Sequence, residues 1–209
     1  MKKSQLGLLL FLVLASAGLR AETGAAISGV YGELTVGVDP QNQSLSGYYQ
    51  NGTGSNGSGG SQFSCLFYLV GKKQGAAYAI QTWFPGDGKK EVIAGELRFI
   101  SAAGAEPASV QLKLKQEPGG CGMVDPDLAS TEGSRLIQDA AGQWKSVRVV
   151  SAKRAHFFES PDAIAPRKTY VVQGDALRVW DQKPGWVQAD FEGKNKGWVK
   201  ETDLFPAMP

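Results

Sequence analysis

The chain of 209 residues contains a single histidine, His156, and only two cysteines, Cys65 and Cys121. Serine and cysteine hydrolases need a histidine or an equivalent base beside the nucleophile, and in this chain His156 is the one histidine that could serve as that base. The motif G-x-S-x-G is absent, and the glycine-rich run at residues 51–61 lacks the Gly-Lys-Ser/Thr ending of a phosphate-binding loop. We therefore predict that the protein is not an enzyme and uses no metal or cofactor.

The sequence also lacks any concentrated block of basic residues, because 22 lysines and arginines are interspersed with 20 aspartates and glutamates. Nucleic acid or an anionic membrane surface normally requires a concentrated positive face, so neither is an expected partner. Beyond the first residues, no apolar run is long enough to cross a bilayer. We therefore expect no stable membrane insertion of the mature protein.

The first residues have the layout of a secretory signal peptide. Lys2 and Lys3 precede an apolar run from Leu6 to Ala15, and small residues follow up to Ala21. We assign residues 1–21 to the signal peptide, with cleavage after Ala17 as the alternative and a membrane anchor as the other interpretation. Its removal would lower the formal net charge from +2 to about −1. The predicted location is periplasmic or secreted.

The two cysteines have a simple interpretation in an exported protein. An isolated even pair in an oxidising compartment most simply forms a disulfide, here between Cys65 and Cys121. The bridge would close a loop of about 57 residues, which stabilises the fold mainly by restricting the unfolded chain. A catalytic thiol or a metal-binding pair is the alternative, but the histidine lies far along the sequence. We predict a structural disulfide.

Residues 22–149 show the alternation typical of short strands and almost no helical period. Leu34, Val36 and Val38 alternate with small or polar residues, and a turn at residues 39–42 leads into a second strand, which predicts a hairpin. Seven or eight short strands with one cross-link predict a small, disulfide-braced β-barrel or sandwich. The remaining strand-like runs cover residues 62–71, 76–84, 91–100, 109–115 and, as the last strand of this unit, 143–150.

Two stretches of this unit are not typical of strands. The run "NGTGSNGSGGS" at residues 51–61 has no side chain that burial could anchor, which indicates a mobile loop. Residues 118–134 carry much turn chemistry, so we expect the disulfide to fasten an irregular segment onto the sheet. Within it, Asp125-Pro126-Asp127 favours a turn over a site for a hard cation. Only residues 126–141 are expected to hold a short helix.

The C-terminal pattern is sharper, over the stretch "YVVQGDALRVWDQKPGWVQADFEGKNKGWVKETDL" at residues 170–204. Turn pairs at Gly174-Asp175 and Pro184-Gly185 separate short strands, and Gly-Trp-Val occurs twice, at residues 185–187 and 197–199. These elements resemble the bacterial SH3-like (SH3b) domain. The resemblance covers residues 150–205 and implies a C-terminal SH3-like barrel, followed by a tail at 206–209. Residues 22–149 resemble no family closely enough to name.

The doubled Gly-Trp-Val predicts a structural role first, because two indoles on adjacent strands would cover much of a small apolar interior. Strand alternation nevertheless places Trp180 and Trp186 on faces that belong less to the core. It predicts that Trp198 has the structural role, whereas the other two contribute more to a surface. The aromatic side chains could also simply cover the open ends of the barrel. The candidate ligand-binding residues are Tyr170, Trp180, Trp186 and Trp198.

Three functional hypotheses follow. The resemblance implies an exported, non-catalytic binding protein whose SH3-like domain contacts peptidoglycan or an envelope protein. The first alternative is a secreted inhibitor of an extracellular hydrolase, which would present residues 51–61 or 118–134 as a blocking element. The second is a carboxylate-dependent wall hydrolase, which would need a cleft with two acids. The absence of catalytic motifs places them in this order.

Overall fold

The computed structural model describes residues 24–84 and 91–206. The architecture is all-β, as predicted, with a closed barrel followed by two smaller sheets. The predicted signal peptide and residues 207–209 of the predicted tail lie outside the described residues. No helix in the described ranges is long and apolar enough to cross a membrane.

The barrel is an antiparallel meander in which each strand pairs with its neighbours in sequence, and the last pairs with the first. Side chains point alternately inwards and outwards along every strand. Because the last strand pairs with the first, the barrel closes without a strand from another part of the chain. The predicted hairpin at its start is confirmed by the pairing of the second and third strands. The eight strands are β1 (Gly29–Tyr31), β2 (Leu34–Asp39), β3 (Ser44–Thr53), β4 (Phe63–Gln74), β5 (Ala77–Trp83), β6 (Ile93–Ile100), β7 (Ser109–Leu114) and β8 (Ser134–Ala141).

Side chains fill the barrel interior, as the geometry of eight strands permits. Large aromatic rings, including Tyr31 and Phe99, pack edge to face with centroids 5.9 Å apart. Glycines occupy the inward positions of β4 and β6 where a larger neighbour needs the space. A Cβ at Gly71 would lie 2.7 Å from Cγ2 of Ile80, and one at Gly95 would lie 2.7 Å from a methyl carbon of Leu114.

The disulfide is formed, with an S–S distance of 2.04 Å between Cys65 and Cys121. It fastens the irregular segment at residues 118–133 to β4, as predicted. Leu128, from the 3-10 helix Pro126–Ala129, is fully buried in the barrel core. Asp125 accepts hydrogen bonds from the hydroxyl groups of Tyr49 at 2.8 Å and Ser134 at 2.6 Å. The segment is therefore a packed lid on one end of the barrel.

The expectation of a helix within residues 126–141 is mostly wrong. Only the four residues Pro126–Ala129 form a 3-10 helix, and Ser134–Ala141 form β8, which closes the barrel against β1. The residues of β8 alternate poorly in polarity because the apolar Ile137 is exposed whereas the polar Ser134 is buried. Its partner β1 is remote in sequence, and the local pattern carries no record of that pairing.

The C-terminal part contains a four-stranded sheet in the order β14-β13-β12-β9 and a two-stranded sheet of β10 and β11. Val187, Val199 and Leu177 belong to its buried core. A second 3-10 helix, Glu201–Asp203, follows the last strand. The six strands are β9 (Ser146–Val149), β10 (Arg154–His156), β11 (Tyr170–Val172), β12 (Ala176–Lys183), β13 (Trp186–Phe191) and β14 (Lys194–Lys200).

The strand at residues 143–150 does not end the first unit, so that part of the prediction is wrong. β9 pairs antiparallel with β12, from Ser146 opposite Val179 to Val149 opposite Ala176. Because β9 follows the barrel directly in sequence, its hydrophobic pattern alone could not tell which sheet it would join. The pairing makes β9 an edge strand of the C-terminal sheet.

β9 also packs directly on the barrel wall. The backbone of Ser146 lies so close to Gly37 of β2 that a Cβ there would be 2.5 Å from the Ser146 Cα. Beside this contact, Val149 joins Tyr68 and Trp83 of the barrel in a separate buried cluster. The Tyr68 hydroxyl donates to the carbonyl of Val147 at 2.7 Å. Burial raises the pKa of this phenol to about 12, so the hydroxyl group stays protonated and can donate this hydrogen bond.

Removing the disulfide should destabilise the barrel without changing its strand order. We expect a Cys65→Ser/Cys121→Ser variant to lose about 2 to 4 kcal/mol of unfolding free energy, because the unfolded chain regains the freedom of the closed loop. Urea denaturation of the variant and of the unreduced parent measures the difference. The parent treated with reductant should match the variant, and two free thiols in unfolded, unreduced parent protein would contradict the assignment.

Gly37→Ala should loosen the contact between β9 and the barrel. The added methyl group meets the main chain of Ser146 rather than a movable side chain, and overpacking of this kind typically costs about 1 to 3 kcal/mol. Thermal unfolding and limited proteolysis of residues 142–146 measure the effect. Gly119→Ala is the matched control, because no atom lies within 4 Å of a Cβ at that position. Equal stability of the two variants would refute the close contact.

Candidate functional site

The outer face of the four-stranded sheet is organised around a buried carboxylate, that of Asp190 on β13. Its Oδ1 accepts hydrogen bonds from Nε of Arg178 at 2.8 Å and from the backbone N–H of Gly193 at 2.6 Å. Its Oδ2 accepts the indole N–H of Trp180. Asp190 is 2 % exposed, so these donors replace the water that its charge would otherwise need. The carboxylate thereby orients Trp180.

Two tight turns bring these groups together. Glu192 and Gly193 both have positive φ angles, of 51° and 76°, as the two central residues of a type I′ hairpin between β13 and β14 do. This conformation directs the Gly193 N–H back towards Asp190. At the preceding turn, Pro184 is followed by Gly185 with φ of 77°, which is typical of a type II turn. Gly185 is required for its φ angle rather than for space, since no atom lies within 4 Å of a Cβ at that position.

Lysines lie over the tryptophans of this face. The Nζ of Lys196 is 4.2 Å from the ring centroid of Trp180, and that of Lys183 is 5.0 Å from Trp198. Such distances allow cation–π attraction, which is worth about 0.5 to 1 kcal/mol at exposed sites. We call this surface the aromatic–lysine face; its members are Phe158, Trp180, Lys183, Trp186, Lys196, Trp198 and Lys200.

The third tryptophan of the face, Trp186, lies beside a phenylalanine. Its ring packs edge to face on Phe158, with centroids 5.0 Å apart, and the Nζ of Lys200 lies 5.6 Å from the Phe158 ring and 6.0 Å from Trp186. The three lysines are exposed, whereas Trp180 and Trp186 are half-buried. The face therefore combines flat apolar rings with mobile positive charges.

Trp198 is covered more completely than its two neighbours, at 7 % exposed. It lies opposite Gln188 on β13, on the outer face of the sheet, while Val199 beside it points into the core. The interior role expected for the doubled indoles is therefore wrong, because valines rather than tryptophans form that core. Lys183 of β12 lies over the ring of Trp198. Phe158 pairs with its backbone in an isolated bridge.

The segment that pairs with the backbone of Trp198 is attached by an ion pair at the surface. Arg167 donates from Nη1 to the carbonyl of Lys196 at 2.7 Å and forms a bidentate pair with Glu159. Hydrogen bonding to Arg167 lowers the pKa of the Glu159 carboxyl and raises the pKa of Arg167. Gly197 permits this approach, because a Cβ there would lie 3.0 Å from the Phe158 carbonyl oxygen.

Of the four predicted ligand-binding residues, the structure brings Trp180, Trp186 and Trp198 onto one face. Tyr170 lies elsewhere, on β11 of the two-stranded sheet. Its ring is exposed and neighbours His156 at 5.6 Å, with Arg154 over it at 4.7 Å. We therefore leave Tyr170 out of the aromatic–lysine face. Its role as a ligand contact stays a prediction.

Phe158 and the three lysines of the face were not among the sequence predictions. The lysines had a detectable signal, because Lys196 and Lys200 alternate with Trp198 at even spacing along one strand, and Lys183 precedes the turn to Trp186. Phe158 carried no such signal, since it reaches the face only through a bridge to β14 from outside the regular strands.

The face continues towards the barrel through Trp144. This indole is buried, donates to the Val36 carbonyl at 2.8 Å, and packs edge to face on Trp180 at 6.0 Å. The guanidinium of Arg178 lies 4.8 Å from the Trp144 ring. A single chain of aromatic contacts therefore connects the barrel wall to the candidate site, and it limits how far Trp180 can move.

A second concave feature lies between the barrel wall and the C-terminal sheet. This cleft has a volume of about 930 Å³ and contains two carboxylates, Asp39 and Asp181. Asp39 accepts the backbone N–H of Gln41 at 2.9 Å, and Asp181 pairs with Lys145 at 3.7 Å. Both carboxylates thus already have partners. Within residues 24–84 and 91–206, no group of three or more His, Cys, Asp or Glu side chains is placed to hold a metal ion.

A scan against models of known protein families, and searches of curated proteins and of solved structures, found no match to this chain.

Asp190→Asn should destabilise the C-terminal sheet strongly. The amide leaves Arg178 without its counter-charge and places an N–H₂ group against existing donors. Breaking a buried ion pair in this way lowers the free energy of unfolding by about 3 kcal/mol or more. Chemical denaturation followed by tryptophan fluorescence measures both the stability and the environment of Trp180. Asp181→Asn is the control, because an exposed pair contributes at most about 1 kcal/mol. If both variants lose equally little unfolding free energy, Asp190 does not organise the face.

Proposed function

We propose that this protein is an exported, non-catalytic binding protein whose C-terminal part, residues 150–205, is SH3-like and contacts the cell wall or an envelope protein. The observation that carries the proposal is the aromatic–lysine face, where half-buried rings and exposed ammonium groups alternate along one sheet surface. Rings of this kind are the usual anchors of recognition surfaces, because they bury much area at little entropic cost.

The chemistry of the face favours peptidoglycan within this proposal. Indole rings stack on the apolar faces of sugars, and ammonium groups pair with the carboxylates of acidic peptides. Lys196 and Lys200 are exposed, so they can leave the rings of Trp180 and Trp186 for a ligand at a small cost in cation–π energy. An extended polymer with sugar rings and carboxylates would satisfy both kinds of group.

Export is the second part of the proposal. The disulfide between Cys65 and Cys121 is buried within the barrel core, and such bridges form and persist in oxidising compartments. Residues 1–21 carry the composition of a signal peptide. Together these features support a periplasmic or secreted location.

Binding to purified peptidoglycan tests the proposal. We expect the protein to sediment with insoluble peptidoglycan and Trp186→Ala to bind at least tenfold more weakly, because truncation of an aromatic anchor typically costs 2 kcal/mol or more. The Trp186 ring is half-buried outside the core, so this variant should stay folded. Thermal unfolding checks that condition.

The matched control is Phe84→Ala, which removes an exposed aromatic ring of the barrel, 51 % exposed, outside the aromatic–lysine face. It should bind like the parent. A folded Trp186→Ala protein with undiminished binding would contradict the role of the face. Failure of the parent to bind, together with capture of a single enzyme from envelope extract, would instead favour the inhibitor hypothesis.

A further inference from the structure

The cleft between the barrel and the C-terminal sheet has no role in the proposed function. Its volume of about 930 Å³ is in the range of small-molecule sites. One wall is formed by outward side chains of β4 to β6, among which Val70, Ala79 and Ala94 are small. The opposite wall comes from β9 and β12. The cleft thus exists only because the two parts pack together.

Positive charge predominates in the cleft. Four cationic side chains line it, and they outnumber the two carboxylates of Asp39 and Asp181. Lys145 is paired with Asp181, whereas the salt bridges found among the described residues include none of Lys72 or Lys115. The cationic residues are Lys72, Lys115, Lys145 and Arg148. An anion entering the cleft would meet a net positive lining.

Arg148 is the residue that distinguishes this cleft from an ordinary basic surface. It is 3 % exposed, yet its Nε has no hydrogen-bond partner among the residues that the structure describes. Its Nη2 donates to the carbonyl of Phe205 at 2.8 Å, and Nη1 lies 3.6 Å from a carboxylate oxygen of Glu201. Arg148 therefore adds a buried positive charge to the lining of the cleft, while its Nε atom is covered by the surrounding residues.

We propose that the cleft binds a small organic acid with at least two carboxylates, which pair with Lys72 and Lys115 while the buried guanidinium of Arg148 adds positive charge to the lining. Two carboxylates match these two lysines, because none of the salt bridges found among the described residues includes them. Each carboxylate–ammonium hydrogen bond would be charge-assisted. The small side chains of β4 to β6 leave space for the carbon chain of the acid.

A titration with glutarate, observed as backbone amide shifts of the full mature chain, tests this proposal. Glutarate should produce saturable shifts centred on residues 70–72, 79–81 and 94–95, and uncharged glutaramide at the same concentrations should not. Sodium sulfate is titrated in the same way to test whether an inorganic anion binds as well as glutarate does. Sulfate affinity equal to that of glutarate, or glutarate shifts outside the cleft, would overturn the proposal.

Two variants locate the charges. Lys72→Gln alters an exposed side chain and should fold normally, and it should weaken glutarate binding about tenfold. Lys115→Gln also alters an exposed side chain of the lining, and it should weaken binding by a similar factor while thermal unfolding checks the fold. Lys194→Gln, on β14 and outside the cleft lining, is the matched control. Unchanged affinity in both folded cleft variants would refute the site.

This site is independent of the proposed function. Trp186→Ala should bind glutarate like the parent, because Trp186 does not line the cleft. Lys72→Gln should in turn bind peptidoglycan like the parent. If one pair of results fails, the other still stands, so the two proposals are tested separately.

Discussion

The close contact between Gly37 and the backbone of Ser146 is the constraint on which the arrangement of this molecule depends. Because no side chain separates the two main chains, β9 lies flat on the barrel wall while it pairs on its other side with β12. One four-residue strand thereby fixes the C-terminal sheet against the barrel. The Tyr68–Trp83–Val149 cluster then buries the surface next to it.

Both candidate sites follow from that contact. The cleft is the space that remains beyond β9, between the barrel wall and β12, and Arg148 becomes buried because β9 carries it there. Trp144 reaches from the chain just before β9 to Val36 of the barrel and to Trp180 of the sheet. The same short stretch thus supports a charged cleft and an aromatic surface.

The two sites differ in how they are held. At the aromatic–lysine face, Asp190 has a donor on each oxygen, so Trp180 is positioned before any ligand arrives. The lysines of that face are exposed and free to move. In the cleft the arrangement is reversed, because the buried Arg148 is fixed but not fully satisfied. The first site resembles an adaptable surface for a polymer, and the second a pocket for a discrete small anion.

Local patterns in the sequence were sufficient for the all-β class, the first hairpin, the disulfide and the C-terminal turns. Each of these depends on alternation, on a turn residue such as Gly185, or on two cysteines that have no other partner. The SH3-like assignment and the signal peptide remain predictions. By itself, the sequence also indicated that Trp180 and Trp186 belong to a less buried face than the core valines.

Only the tertiary structure decided which sheet β9 joins, that residues 134–141 close the barrel as β8, and that Phe158 completes the aromatic–lysine face. These outcomes depend on pairing between strands that are distant along the chain, and a strand's own residues do not record its partner. The low exposure of Trp198 has the same origin, since Lys183 of the preceding hairpin lies over its ring. The free donor of Arg148 likewise depends on neighbours that only folding brings together.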